Sequence, residues 1–200
     1  MPKPKKQAEK PKIIALTGVP GTGKTSVAAE LVRLGFRSVD LNALARSSGM
    51  ILSHDEEDDS DEVDISLLSR AVAALLPILG QDIVFEGHLA CEFKIRGAYA
   101  IVLRTNPDTL KQRLSSRGYS WQKISKNAMS EMLDYCVIKS RANYKKVIEL
   151  DTTDSSPGEI AQEIAASDLA KLKSDKVDWS AKLLDIDVRE LVARKMAKLK

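Results

Sequence analysis

The most informative segment of this 200-residue chain reads Ile13-Ile-Ala-Leu-Thr-Gly18-Val-Pro-Gly21-Thr-Gly23-Lys24-Thr25. Its first five residues are apolar or β-branched, which is typical of a strand that is buried on both faces. The remaining eight match the pattern G-x-x-x-x-G-K-[ST], and a helical pattern with Val27, Leu31 and Leu34 on one face follows directly. A strand, a glycine-rich loop and a helix in this order predict a phosphate-binding loop.

The residue types of this loop suit the binding of phosphate. Glycines allow successive backbone N–H groups to converge on one anion, and the helix N-terminus adds a partial positive charge. We expect Lys24 to reach the β- and γ-phosphate oxygens of ATP, and Thr25 to place its hydroxyl on Mg²⁺. A structural turn around a buried lysine is the alternative, but it would leave Lys24 without a partner. The predicted ATP-binding residues are Gly18, Gly21, Thr22, Gly23, Lys24, Thr25 and Ser26.

Short apolar segments alternate with amphipathic segments along the rest of the chain. Strands are predicted over residues 37–39, 82–85, 98–103 and 147–150, and helices over 41–48, 65–79, 107–117 and from 157 to beyond 164. One long amphipathic helix is expected between Met129 and Ile148, with Cys136 as a core residue and not a nucleophile. The alternation predicts an α/β fold of the P-loop NTPase class, a parallel five-stranded sheet flanked by helices.

Charge is distributed unevenly along the chain, although the net charge is only +3. Residues 1–12 and 169–200 each carry +4, so residues 13–168 carry −5. We predict a disordered basic arm over 1–12, a folded domain over 13–168, and a basic C-terminal extension over 169–200, helical after a polar break at 174–180. That helix could pack on the body or contact a partner or RNA, and both remain open. Eight of the ten residues 55–64 are acidic, which by composition alone favours a solvated loop.

Composition excludes several classes of protein. No run approaches the ~18 consecutive apolar residues of a membrane span, and the N-terminal lysines precede no apolar segment. We therefore expect a soluble protein without a membrane role, located in the cytoplasm, or in the nucleus if the source is eukaryotic. The only cysteines are Cys91 and Cys136, which excludes a disulfide scaffold and a four-cysteine zinc site.

Three further features indicate which reaction the bound nucleotide undergoes. Glu86-Gly-His88 ends a predicted strand at the sheet edge where open α/β folds bind ligands. Glu86 is a candidate Mg²⁺ ligand, and His88 a candidate to orient a hydroxyl or water, with a structural imidazole as the alternative. Arg113 and Arg117 share one helix face and suit phosphates or an adenine plane, unless they simply lie on a solvated helix. Arg46 follows the second strand, where it could hold an acceptor phosphate.

Several segments resemble one family when they are taken in order. They are the loop 18–26, Leu44-Ala-Arg46, His54-Asp-Glu-Glu57, Glu86-Gly-His88 with Cys91-Glu-Phe93, Val102-Leu-Arg-Thr105, residues 113–119 and Arg141-Ala-Asn-Tyr-Lys145. Over about residues 13–150 the chain is similar to adenylate kinase isoenzyme 6, also called the coilin-interacting nuclear ATPase protein, a family with archaeal members. Glu86 stands where the eukaryotic pattern has aspartate, and in this respect the chain is similar to archaeal relatives.

The resemblance implies a nucleoside-monophosphate-kinase-like fold with a short lid, at about residues 116–126, and a monophosphate-binding segment at about 40–63. It implies a broad-specificity adenylate kinase, MgATP + AMP ⇌ 2 ADP, with ATPase activity and a role in maturing the small ribosomal subunit through one of its proteins. Lys24, His88 and Arg117 would be catalytic. Arg117 would also bind the adenine nucleotide, and the substrate-binding arginines would be Arg46, Arg113 and Arg141.

Two other functions remain open. The chain could be chiefly a ribosome-assembly ATPase that binds a small-subunit ribosomal protein, since the acidic body suits a basic partner and the basic ends could contact rRNA phosphates. The second of these functions is that of a small-metabolite kinase with the same phosphate loop.

Overall fold

The computed structural model describes residues 11–56, 60–79 and 82–184. Its strands are β1 (Ile13–Thr17), β2 (Arg37–Asp40), β3 (Ile51–Asp55), β4 (Ser60–Val63), β5 (Ile83–Glu86), β6 (Tyr99–Arg104) and β7 (Val147–Asp151). Five of these strands form a parallel sheet in the order β2-β5-β1-β6-β7, and β3 and β4 form a separate antiparallel hairpin.

Helices cover both faces of the parallel sheet. They are α1 (Lys24–Arg33), α2 (Leu41–Ser47), α3 (Ile65–Leu79), α4 (Pro107–Ser115), α5 (Trp121–Met132), α6 (Tyr135–Asn143), α7 (Pro157–Ala166) and α8 (Ser180–Leu184). One apolar core joins α1 and α7 to the sheet through Leu31 and Ile160, and a second joins α2 and α3 through Leu41 and Leu68. The predicted five-stranded α/β architecture is therefore confirmed.

The parallel register brings the carboxyl ends of the strands to one edge of the sheet. Leu16 of β1 lies opposite Glu86 of β5, and Asp40 of β2 lies opposite the same Glu86. Because the central strand β1 is buried on both faces, its apolar run reads as continuous rather than alternating. The glycine-rich loop starts at this edge, which fixes the location of the site.

The acidic segment is not simply a solvated loop, as its composition suggested. Its described residues form the hairpin β3–β4, in which His54 pairs with Asp61 and Asp55 with Ser60. The partly buried Ile51 and Val63 at the base of the hairpin pack against the core. Apolar residues at the base of the hairpin therefore attach it to the core. Residues 57–59 lie outside the described part.

The single long helix that was expected between residues 129 and 148 is wrong. The helix is interrupted between α5 and α6, where Asp134 has a positive φ of 54°. Ile148 belongs to strand β7. The Asp134 carboxylate accepts a hydrogen bond from the buried Arg104 at 2.5 Å, which offers a reason for the break. Cys136 is buried in the core, as predicted.

Residues near both ends of the described chain form hydrogen bonds with the sheet region, which the charge pattern did not suggest. The backbone N–H of Lys12, a residue assigned to the arm, donates to Asp82 at 2.7 Å, and its carbonyl accepts from Ile83. Residues 174–175, assigned to a polar break, pair with the edge strand β7. The predictions for residues 1–10 and 185–200 lie outside the described residues. Within the described ranges, no helix has the length and apolar character needed to cross a membrane.

Candidate active site

The glycine-rich loop between β1 and α1 is shaped by two glycines with positive φ. A Cβ on Gly18 (φ 140°) would lie 2.6 Å from the Leu103 carbonyl oxygen, and one on Gly21 (φ 94°) would lie 2.7 Å from a Leu110 methyl. Only glycine fits both positions without displacing the backbone or the core. The loop leads into the N-terminus of the ten-residue helix α1, whose free N–H groups favour an anion.

Lys24 lies at the start of α1 and faces a cleft of about 380 Å³. Its Nζ donates to the Val19 carbonyl oxygen of the same loop at 2.9 Å. Burial lowers the pKa of Lys24, while the Glu86 carboxylate acts in the opposite direction. The ammonium group is thus held beside the loop by a carbonyl, a contact that a phosphate oxygen can replace.

Thr25 and Glu86 meet across the cleft floor. The Thr25 hydroxyl lies 3.4 Å from a Glu86 carboxylate oxygen, and Glu86 is only 5% exposed. Burial, and then the charge of Asp40 on the neighbouring strand, raise the pKa of Glu86. A hydroxyl beside a buried carboxyl is an oxygen donor set that fits Mg²⁺, which takes one or two protein ligands and completes its shell with phosphates and water.

His88 follows Glu86 by two residues and begins a 3₁₀ turn, His88–Cys91. The Thr17 hydroxyl donates to the His88 carbonyl oxygen at 3.1 Å and so fixes the backbone there. The imidazole lines the cleft and is exposed to the solvent in it, but partial desolvation by the surrounding cleft residues and the nearby Lys24 ammonium lower its pKa to about 4. At neutral pH the ring is therefore uncharged and has one donor and one acceptor nitrogen.

Arg46 lines the same cleft from α2, beside the hairpin. Its Nε donates to Asp61 at 2.7 Å, and His54 Nδ1 lies 2.8 Å from the other oxygen of that carboxylate. The bond with His54, and then that with Arg46, lower the pKa of Asp61. The predicted Arg46 therefore shares the cleft with Lys24.

The two arginines that were predicted as a pair have different surroundings. Arg113 donates to the carbonyl oxygens of Thr152 and Thr153, at 2.7 and 3.2 Å, and lines a second cavity of about 310 Å³ beside the loop. Arg117 lines both this cavity and the main cleft. Arg117 thus lies at the junction between the two spaces, while Arg113 is occupied by backbone contacts and does not line the main cleft.

Arg141 is not brought to either cavity. Its guanidinium donates to Glu149 at 2.9 Å on the outer part of α6, and it is mostly exposed. The geometry therefore gives no support to a direct substrate contact by Arg141, because the charge is used in an ion pair beside β7.

Sequence reasoning did not single out several residues of the cleft. Asp40 lines it, with one oxygen accepting from the N–H groups of Asn42 and Ala43 at the start of α2. The available signal was its position at the end of a strand next to the Glu86 strand. Asp61 was hidden among eight acidic residues that were assigned to solvent. Residues 116–126, the predicted lid, add Tyr119 and Lys123, whose Nζ lies 4.9 Å from the Tyr119 ring centre.

Comparison with known proteins places the chain in a family. A family model described as an AAA domain matches residues 14–134. A protein of Thermococcus onnurineus named "Putative adenylate kinase" is 35% identical over 175 residues, which cover 84% of this chain and 91% of that protein. One of the same name from Methanocaldococcus jannaschii is 34% identical, covering 86% and 95%. The chain belongs to this adenylate kinase family. The resemblance seen in its motifs is thereby confirmed.

Solved structures agree with the fold. A shikimate kinase from Acinetobacter baumannii, in complex with shikimate, matches with a TM-score of 0.55 and 21% identity over 82% of this chain and 97% of its own. A shikimate kinase from Bacteroides thetaiotaomicron gives a TM-score of 0.53 and 17% identity over 78% and 99%. At such low identity these relatives establish the P-loop kinase fold alone.

Proposed function

We propose that this member of the family is a broad-specificity adenylate kinase that catalyses MgATP + AMP ⇌ 2 ADP and also hydrolyses ATP. The observation that carries the proposal is a single cleft lined by Lys24 and Thr25 on the wall that α1 forms and by Arg46 on the wall that α2 forms, with Arg117 at its junction with the second cavity. Such a cleft has room for a donor and an acceptor phosphate between two cationic walls.

The donor side of the proposal uses the loop and the second cavity. The loop N–H groups and Lys24 would bind the β- and γ-phosphates of ATP, and the base would enter the cavity lined by Val27, Pro157 and Ile160. Arg117 would neutralise charge between the two spaces. Thr25 and Glu86 would hold Mg²⁺, which when bound neutralises phosphate charge as the phosphoryl group transfers.

The acceptor side uses Arg46 as the cation for the AMP phosphate, which would displace the Asp61 carboxylate from it. Phosphoryl transfer needs positioning and charge neutralisation more than proton transfer, so a site without a nucleophile suffices. Hydrolysis differs, because the acceptor is then water. The neutral His88 ring would orient that water through a hydrogen bond, which links the two activities in one cleft.

A side-by-side assay tests this function. The chain is incubated with MgATP alone, with MgATP and AMP, and with MgATP and shikimate or gluconate as non-nucleotide acceptors. We expect ADP to form fastest with AMP, and slowly with ATP alone. Turnover of a non-nucleotide acceptor with none of AMP would overturn the proposal and favour the small-metabolite kinase.

A second candidate function is that of an assembly ATPase in the cytoplasm, which binds a basic small-subunit ribosomal protein and links ATP turnover to ribosomal subunit maturation. The observation that favours it is the acidic hairpin, whose Asp55 and Glu62 are exposed beside the cleft. Electrostatic complementarity would attract a strongly basic partner there. A pull-down of purified basic small-subunit proteins, with and without ATP, tests it, and no retention at moderate salt would contradict it.

A further inference from the structure

Residues 168–182, which we call the C-terminal strap, pack along the body after α7. Leu169 is buried in the core that joins α1 and α7 to the sheet. The N–H of Glu149 on the edge strand β7 donates to the Ser174 hydroxyl at 2.8 Å, and the Asp175 N–H donates to the Glu149 carbonyl oxygen at 2.9 Å. The strap thus covers backbone groups that an edge strand would otherwise expose.

Beyond this edge the strap contacts both helices that flank the lid. The Trp179 indole Nε1 donates to the Glu131 carboxylate at 3.1 Å, and Glu131 lies near the end of α5 with 2% exposure. Lys182 forms an ion pair with Asp108 in the first turn of α4. One segment therefore tethers the helix before the lid and the helix after it.

The lid loop between α4 and α5 carries Arg117, which lines both cavities. Among the described residues, no side-chain hydrogen bond or ion pair holds the Arg117 guanidinium. Its position accordingly depends on the backbone of the loop, and that backbone is fixed by α4 and α5. A contact that restrains this helix pair therefore also restrains Arg117.

The same carboxylate is linked to the phosphate loop. Glu131 accepts from the Thr105 N–H at 3.2 Å, and the hydroxyls of Thr105 and Thr152 are 2.8 Å apart. The Thr152 hydroxyl lies 3.0 Å from the Thr22 carbonyl oxygen within the loop. Hydrogen bonds, joined through the covalent structure of Thr105, thus connect Trp179 to the phosphate loop.

We propose that the C-terminal strap positions the lid for nucleotide binding, and that Trp179, acting through Glu131, is the positioning residue that sets Arg117. The proposal rests on the ATP-binding part of the proposed function. Trp179 itself lines neither cavity, so its effect is indirect. The effect should appear in the affinity for ATP and not in the affinity for AMP.

The test uses the full chain with Trp179→Phe, which keeps an aromatic ring and removes the N–H donor. We expect the Kd of N-methylanthraniloyl-ATP and the KM for ATP to rise about tenfold, a change of ~1.4 kcal/mol, and kcat to fall as well, because Arg117 also neutralises phosphate charge, while the KM for AMP changes less than about twofold. Lys176→Ala is the matched control, because Lys176 is an exposed strap residue between the β7 contacts at 174–175 and Trp179. It should leave all four constants unchanged.

An Arg117→Ala background separates positioning from a general loss of stability. If Trp179 acts through Arg117, Trp179→Phe should weaken ATP binding less than about twofold in that background. An equal loss in both backgrounds, or no loss in the wild-type background, would overturn the proposal. Thermal unfolding verifies that each variant is folded, and Trp179→His, which keeps a ring N–H, should restore part of the affinity. Because the binding measurement needs no turnover, failure of AMP phosphorylation would leave this test intact.

Discussion

Asp40 and Glu86 lie opposite each other on the neighbouring parallel strands β2 and β5, and both side chains line the same cleft. Burial and the Asp40 charge together raise the pKa of Glu86, although Thr25 and Lys24 oppose the shift. A carboxyl group in this position is destabilising when it is charged and no cation is bound. The Asp40–Glu86 pair therefore lowers the stability of the free protein, and in the proposed function a bound Mg²⁺ would relieve this cost.

Replacement of Glu86 should separate stability from activity. In the nucleotide-free protein, Glu86→Gln should raise the Tm by about 2–4 °C, the shift that ~1 kcal/mol produces in a chain of this size. The same variant should lower Mg²⁺-dependent phosphoryl transfer by at least ~100-fold. Thermal unfolding and an ADP-formation assay measure the two effects. Glu163→Gln, on the exposed face of α7, is the control and should change neither.

The sign of the pH dependence follows from the direction of the shift. Since folding raises the pKa of Glu86, its contribution to stability is fully present below the unfolded value of ~4.3 and is lost as pH rises through the folded pKa. The Tm advantage of Glu86→Gln should therefore grow as the pH rises from 4 to 8. A variant that is less stable than wild type at pH 8 would contradict this account.

Lys24→Ala should abolish both phosphoryl transfer and ATP hydrolysis, with each rate at least ~100-fold lower. The ammonium group that now donates to the Val19 carbonyl oxygen is the cation closest to the loop, and both reactions need it on the transferred phosphate. ATP turnover with and without AMP measures the two rates. Lys111→Ala, at a half-buried lysine of α4 that lines neither described cavity, should retain both. Hydrolysis that survives in Lys24→Ala would exclude a shared site.

His88→Asn should reduce ATP hydrolysis by about 100-fold and transfer to AMP by less than about threefold, because only hydrolysis needs an oriented water. The pKa of about 4 keeps the wild-type ring neutral at ordinary pH, so hydrolysis should not change through a histidine titration between pH 5.5 and 8. Initial rates across that range measure this. Equal loss of both activities would contradict the division of roles.

Most of the fold could be predicted from local patterns in the sequence. Strand β1 and its loop are unambiguous because a buried strand, glycines and Lys24 occur together, and the register then brings Glu86 to the same edge. The break at Asp134 could not be foreseen, since it depends on Arg104, which is 30 residues away in sequence and buried beneath it. Helical periodicity reports which side chains are apolar, and it does not report a turn that an ion pair imposes.

Some residues of the candidate site could likewise be predicted from the sequence, and others could not. Lys24, Thr25, Glu86, Arg46 and Arg117 could be collected into one cleft from motifs and resemblance. Asp61 could not, because eight acidic residues of one segment look alike until the hairpin turns one of them toward Arg46. The contact of Arg113 with the carbonyl oxygens of Thr152 and Thr153 depends on how two loops approach each other, which no local pattern reports.

Arg46→Ala should raise the KM for AMP by about 10–100-fold, the range expected when a phosphate loses a hydrogen-bonded cation. The KM for ATP should change less than about twofold, since Arg46 belongs to α2 and does not line the second cavity. Steady-state kinetics with each nucleotide varied in turn measure the two constants. Arg33→Ala, at the exposed end of α1, is the control. A larger effect on ATP than on AMP would reverse the assignment of the two walls.

Arg104→Met should destabilise the fold by about 3–5 kcal/mol, although Arg104 touches no part of the cleft. Its guanidinium is 1% exposed and bonds Glu131 at 2.7 Å and Glu149 at 2.6 Å, so its removal leaves Glu131 buried without a cationic partner. Arg141→Met is the matched control, because it removes the exposed partner of the same Glu149 and should cost less than about 1 kcal/mol. Urea unfolding measures both variants.

The loss of stability in Arg104→Met should increase as the pH rises. Burial already raises the pKa of Glu131, and at higher pH this carboxyl would ionise without its partner. Equal costs for the two arginines would show that burial of the cluster contributes nothing to its stability.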